Sequence, residues 1–142
     1  MSVVKKKILV AVTNPNNRQP LQFLENANAV FYAATVVEAK TCLIRPMDLV
    51  ICGLNFDDSR MFELLGHVKT LPSDHRPPVI CLRQKAGKFD TTYESLIEKA
   101  ITAQGVGEFF NLAKLVEAQG IDTASHMLLM TIDRMLERQC IS

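Results

Sequence analysis

Five short apolar runs punctuate the chain, and between them apolar residues recur every three or four positions. The runs are Ile8-Leu9-Val10-Ala11-Val12, Val30-Phe31-Tyr32-Ala33-Ala34, Leu49-Val50-Ile51-Cys52, Val79-Ile80-Cys81-Leu82 and Phe109-Phe110-Asn111-Leu112. Most are continuous rather than alternating, the pattern of strands covered on both faces. The stretches between them carry helix signals. Pro20 suits a first helical turn and leads Leu21, Leu24 and Ala27. Thr35-Val36-Val37-Glu38 and Thr91-Thr92-Tyr93-Glu94 both fit a capping box, in which a hydroxyl and a carboxylate satisfy free backbone N–H groups. Met61, Leu64, Leu65 and Val68 form one apolar stripe, ended by Leu71-Pro72-Ser73-Asp74. Leu96, Ile97, Ala100 and Ile101 form another, closed by Gln104-Gly105. Regular alternation of strand and helix predicts an α/β fold with a five-stranded parallel sheet and right-handed crossovers.

The tail departs from five equal units. Ala113 to Gln119 reads as a fifth helix, Gly120 interrupts it, and Asp122-Thr123 caps a further helix running through Glu137. Met127, Leu128, Met130, Ile132, Met135 and Leu136 give that helix its apolar residues. Two readings stay open for it: packing on the sheet, or docking a partner or second copy through adaptable methionines. The expected organisation is a single domain over 1–142, with a core over 5–119 and a helical extension over 121–142.

Charge narrows the function classes. Sixteen Lys and Arg balance fifteen Asp and Glu, for a formal charge of +1. That balance supplies no field for nucleic acid or an anionic membrane surface, and no apolar stretch approaches the length of a membrane helix. The basic start, Lys5-Lys6-Lys7, precedes an apolar run too short for a secretory signal. Cys42, Cys52, Cys81 and Cys140 form no C-x-x-C pair, and His67, His75 and His126 lack metal-ligand spacing. Reduced thiols in a cytoplasmic protein without a metal are the expectation.

Asp48-Leu49-Val50-Ile51-Cys52-Gly53-Leu54-Asn55, followed by Phe56-Asp57-Asp58 and Phe62-Glu63-Leu64-Leu65, resembles the middle of a response-regulator receiver domain. Pro78-Val79-Ile80 and Gly105-Val106-Gly107-Glu108-Phe109-Phe110 resemble the approaches to that family's fourth and fifth strands. The resemblance runs from Lys6 to about Gln119. It implies a doubly wound, flavodoxin-like (CheY-like) three-layer α/β/α sandwich.

Set against that resemblance, the chemistry is missing. The family's phosphoacceptor aspartate corresponds to Gly53, and its two metal-binding acids correspond to Val12 and Thr13. The hydroxyl residue after the fourth strand corresponds to Arg83, the lysine ending the fifth to Leu112, and the following proline to Ala113. A hard divalent cation needs several oxygen ligands, and phosphoryl transfer rests on positioning and charge stabilisation. Neither is supplied here, unless Asp57 or Asp58 takes the acceptor's part. No catalytic residue, metal or cofactor is therefore expected, and no enzyme activity. Arg83 either joins the Thr13-Asn14 loop in an anion site or reaches to solvent or to Asp57 or Asp58. Phe109 matches the family's aromatic switch position and is either packed inward or exposed as a binding anchor.

Two functions follow as expectations. The first is a signalling module that meets a protein partner, or itself, without phosphorylation. Its surface would be the fourth helix, fifth strand and fifth helix, with Ser95, Glu98, Lys99, Gln104, Phe109 and the tail helix contributing. The second is a small-molecule or anion-binding domain on the same framework. Against the latter, the Thr13-Asn14-Pro15-Asn16-Asn17-Arg18 loop has no glycine-rich phosphate cradle.

Overall fold

The computed structural model describes residues 6–13, 19–54, 56–84, 91–105 and 107–140. Five strands, β1 (Lys6–Ala11), β2 (Asn28–Ala33), β3 (Leu49–Gly53), β4 (Val79–Arg83) and β5 (Gly107–Asn111), form one sheet in the order β2-β1-β3-β4-β5. Every pairing is parallel. The helices are α1 (Val36–Cys42), α2 (Phe56–Ser59), α3 (Met61–Thr70), α4 (Thr91–Gln104), α5 (Leu112–Gln119) and α6 (Ile121–Cys140), with 3₁₀ turns at Gln19–Asn26 and Ser73–His75. The expected parallel α/β sandwich is therefore present.

Each face of the sheet carries its own core, because side chains along a strand alternate between faces. Leu9, Ala11, Val50, Cys52, Val79 and Cys81 pack with Val36 and Ala39 of α1, the Met61-Leu64-Leu65-Val68 stripe of α3 and Ile101 of α4. On the opposite face, Ile8, Val10, Val12, Leu49, Ile51, Ile80 and Leu82 pack with Leu21, Leu24, Leu112 and five residues of α6. Those five, Ala124, Leu128, Ile132, Met135 and Leu136, are all buried. Their spacing of three or four residues is one stripe of a helix. Buried residues of α6, beyond the expected core limit at Gln119, thus belong to the second core cluster.

Several local expectations change. The segment after Pro20 is a 3₁₀ helix rather than an α-helix. Thr35 caps α1 as expected, its hydroxyl accepting from the Glu38 N–H at 3.2 Å. The Glu38 carboxylate, however, reaches the Ala34 N–H at 3.1 Å, one residue further back than a capping box requires. Side chains of the second expected capping box, Thr91 to Glu94, lie outside the described residues. Strand β5 begins earlier than the apolar run and ends at Asn111, whose side chain caps α5 by accepting from the Lys114 N–H at 3.0 Å. Leu112 consequently opens the helix. Asp122 and Thr123 lie inside α6 rather than capping it, because the Ala124 N–H already bonds to the Gly120 carbonyl at 3.1 Å. Glu108 on the edge strand β5 faces Arg134 of α6 at 3.7 Å.

Candidate functional site

The carboxyl ends of β1, β3 and β4 meet where doubly wound folds place their ligands. Strand register brings Ala11 opposite Cys52, Gly53 opposite Leu82 and Arg83 opposite Asn111. The five positions singled out in the sequence, Val12, Thr13, Gly53, Arg83 and Leu112, therefore lie at or just beyond adjoining strand ends. Asn14 lies outside the described residues.

The described side chains at these ends do not make a cation site. Val12 is 3% exposed and belongs to the second core cluster, as does Leu112. Gly53 is half-buried, and a β-carbon there would lie 3.9 Å from Val12 Cγ2 and 4.0 Å from the Ala11 carbonyl oxygen. Both are ordinary contacts, so a β-carbon fits at this position but none is present. Thr13 is exposed. Its hydroxyl donates to the Ala34 carbonyl at 2.8 Å and accepts from the Asp57 N–H at 2.8 Å.

Asp57 follows β3 within α2 and has a positive φ of 47°, a conformation L-residues other than Asn, Asp and Gly rarely adopt. Its carboxylate accepts from the Val36 N–H in the first turn of α1 at 2.9 Å and faces Arg60 at 3.8 Å. The Asp58 side chain lies outside the described residues. Among the described residues no group of three or more His, Cys, Asp or Glu side chains is placed to hold a metal. The magnesium ion that the fold family implies therefore does not fit the donors described: one carboxylate, already committed to a backbone amide, beside a valine, a threonine and a glycine.

Arg83 is 6% exposed, the single buried charged side chain among the described residues. Of the alternatives read from the sequence, an extension into solvent is ruled out. Phe109 is half-buried and packs against the first core cluster, so its ring is engaged with the core rather than standing out as an exposed anchor. Beneath the strand ends, Cys52 and Cys81 are fully buried. Burial, and then the neighbouring Cys81 thiol, push the Cys52 thiol well above its ordinary value; burial pushes Cys81 up to about 12.

The expected contact face is separate from these strand ends. Ser95, Glu98 and Lys99 line a surface groove of about 490 Å³ along α4, together with Thr102 and Ala103. Gln104 is half-buried at the helix end, and Leu96 is 60% exposed. No described helix is long and apolar enough to cross a membrane.

Sequence reasoning missed the partnership of Thr13 with Asp57, which are 44 residues apart. No periodicity links them; the only available signal was that the first and third strands of such a fold lie side by side.

No family model matches the sequence, and no curated protein matches it. Solved structures do match. The chain is similar to the signal receiver domain of an HD domain-containing protein from Pseudomonas fluorescens Pf-5, with a TM-score of 0.71 and 20% identity over 98% of this chain and 93% of that one. It is similar to the phosphorylated cyanobacterial phytochrome response regulator RcpA, with a TM-score of 0.63 and 18% identity over 87% and 91% of the two chains. A response regulator from Hahella chejuensis gives a TM-score of 0.63 at 15% identity, over 87% and 92%. The strand order, the parallel pairing and these superpositions agree: the chain has the CheY-like, flavodoxin-like fold of response-regulator receiver domains.

Proposed function

We propose that this chain is a receiver-fold signalling module that works through protein–protein contact, without aspartyl phosphorylation and without catalysis of its own. One observation carries the reading. Where the fold family's acceptor and metal ligands would stand, the chain has Gly53, Val12 and Thr13, and the nearest described carboxylate, Asp57, is bound to the Val36 amide. Phosphoryl transfer without an acceptor or a charge clamp has nothing to lower its barrier. The contact surface in this reading is the α4, β5 and α5 side, where α4 carries both the groove lined by Ser95, Glu98 and Lys99 and the exposed Leu96. The fold is compatible with many functions, so the reading rests on the site. Incubation with acetyl phosphate and Mg²⁺, followed by intact-mass measurement, tests it. An unchanged mass is expected, and an acid-labile phosphoryl adduct on Asp57 or Asp58 would overturn it.

A second reading, an anion-binding crevice, is favoured by the burial of Arg83 at the end of β4. A guanidinium held there suits phosphate or carboxylate geometry. Titration with inorganic phosphate, followed by thermal shift, separates the two: a saturable rise in melting temperature that is lost in Arg83→Gln supports the crevice, and no rise leaves the contact module.

A further inference from the structure

We infer that Thr13 and Asp57 form a metal-independent clasp that fixes the carboxyl ends of β1, β2 and β3 in one arrangement. The Thr13 hydroxyl uses both of its functions. It donates to the Ala34 carbonyl just after β2 and accepts from the Asp57 N–H just after β3. Asp57 then closes the ring, its carboxylate accepting from the Val36 N–H two residues beyond Ala34. Three segments, separated by 21 and 44 residues, are thus tied by three short bonds of 2.8 to 2.9 Å. Each bond depends on the others. Asp57 holds a left-handed backbone, and strained conformations of this kind persist only where surrounding bonds over-determine them. Its N–H meets Thr13 only in that turn, and the same turn aims its carboxylate at Val36. Arg60, at 3.8 Å, adds a cation beside the same carboxylate oxygen.

The clasp performs the mechanical task that a cation bridging three loops would perform, and it does so with a hydroxyl and a backbone amide. It also engages one oxygen of the Asp57 carboxylate, Oδ2, in a backbone bond. This inference is independent of the contact partner. It requires only that the strand ends be held shut by this ring.

Hydrogen exchange on the full chain, read at single amides, tests it. In the Thr13→Val variant, which keeps the shape and loses the hydroxyl, exchange is expected to rise about tenfold at the amide of residue 57 and also at Val36, which Thr13 does not touch. Thr13→Ser keeps both functions and is expected to exchange like the parent. Asp57→Ala removes the carboxylate and disfavours the left-handed turn, so exchange is expected to rise at Val36 and at the amide of residue 57 alike. Excess Mg²⁺ is expected to leave the parent protein's exchange unchanged. Unaltered exchange at Val36 in Thr13→Val, or protection of residues 34–57 by Mg²⁺ in the parent, would overturn the clasp.

Discussion

Cys52 and Cys81 stand opposite each other on β3 and β4, and neither exposes any surface to solvent. Their ionisation is opposed first by burial, and for Cys52 also by its neighbour. At pH 8, iodoacetamide should modify the half-buried Cys42 of the native protein before either of them. Peptide mass mapping at timed intervals checks the order.

The same pair sets an alkaline limit. A thiol whose folded value lies above its unfolded value of 9.0 favours the folded state fully below pH 9. Above it the unfolded chain releases the proton first, so stability falls as pH climbs from about 9 towards the folded value of about 12 for Cys81. Urea midpoints should drop across pH 9 to 10.5, and the drop should shrink in a Cys52→Ala/Cys81→Ala double variant.

Gly53→Asp should fold, because a β-carbon there meets only ordinary contacts with Val12 and Ala11. It should still accept no phosphoryl group, since Val12 and Thr13 contribute no carboxylates to hold a cation beside it. Circular dichroism and intact mass after acetyl phosphate treatment decide the matter. Labelling of the single variant would show that the acceptor alone was lacking.

Two glycines should respond in opposite ways. A β-carbon at Gly107 would come within 3.3 Å of Cys81 Sγ, Ile101 Cγ2 and Leu65 Cδ2, so Gly107→Val should cost about 1–3 kcal/mol through overpacking. Gly66 lies inside α3 with nothing within 4 Å, so Gly66→Ala should add about 0.5–1 kcal/mol. Chemical denaturation of both gives the signs directly.

Helix α6 should prove indispensable to folding. Leu128→Ala removes a side chain that is 1% exposed and should cost about 2–5 kcal/mol. Exposed Met130, 59% accessible on the same helix, should tolerate Ala within about 0.5 kcal/mol. Equal losses at the two positions in urea denaturation would argue against the packing described.

Much of the fold was legible because strands buried on both faces write themselves as unbroken apolar runs. Ile8 to Val12, Leu49 to Cys52 and Val79 to Leu82 each locate a strand to within two residues. Strand β5 was harder. Its first half is Gly107-Glu108, which resembles a turn, yet Gly107 lies in the strand, where a β-carbon would press on Cys81, Ile101 and Leu65 at 3.3 Å. Gly120 looked like the end of a core, but its φ of 88° lets α6 start at once and return along the sheet. That Val12, Thr13 and Gly53 fall at strand ends could be read from the apolar runs. The burial of Arg83 and the bond from Thr13 to Asp57 could not, because both depend on which loops meet in space.

The pairing of Glu108 with Arg134 has a consequence for self-association. Two side chains about half exposed contribute little to stability. A charged side chain on the outermost β5 nevertheless discourages another chain from adding a sixth strand there, a common defence against edge-to-edge growth. Contacts on that flank are then expected to use helical faces rather than strand addition.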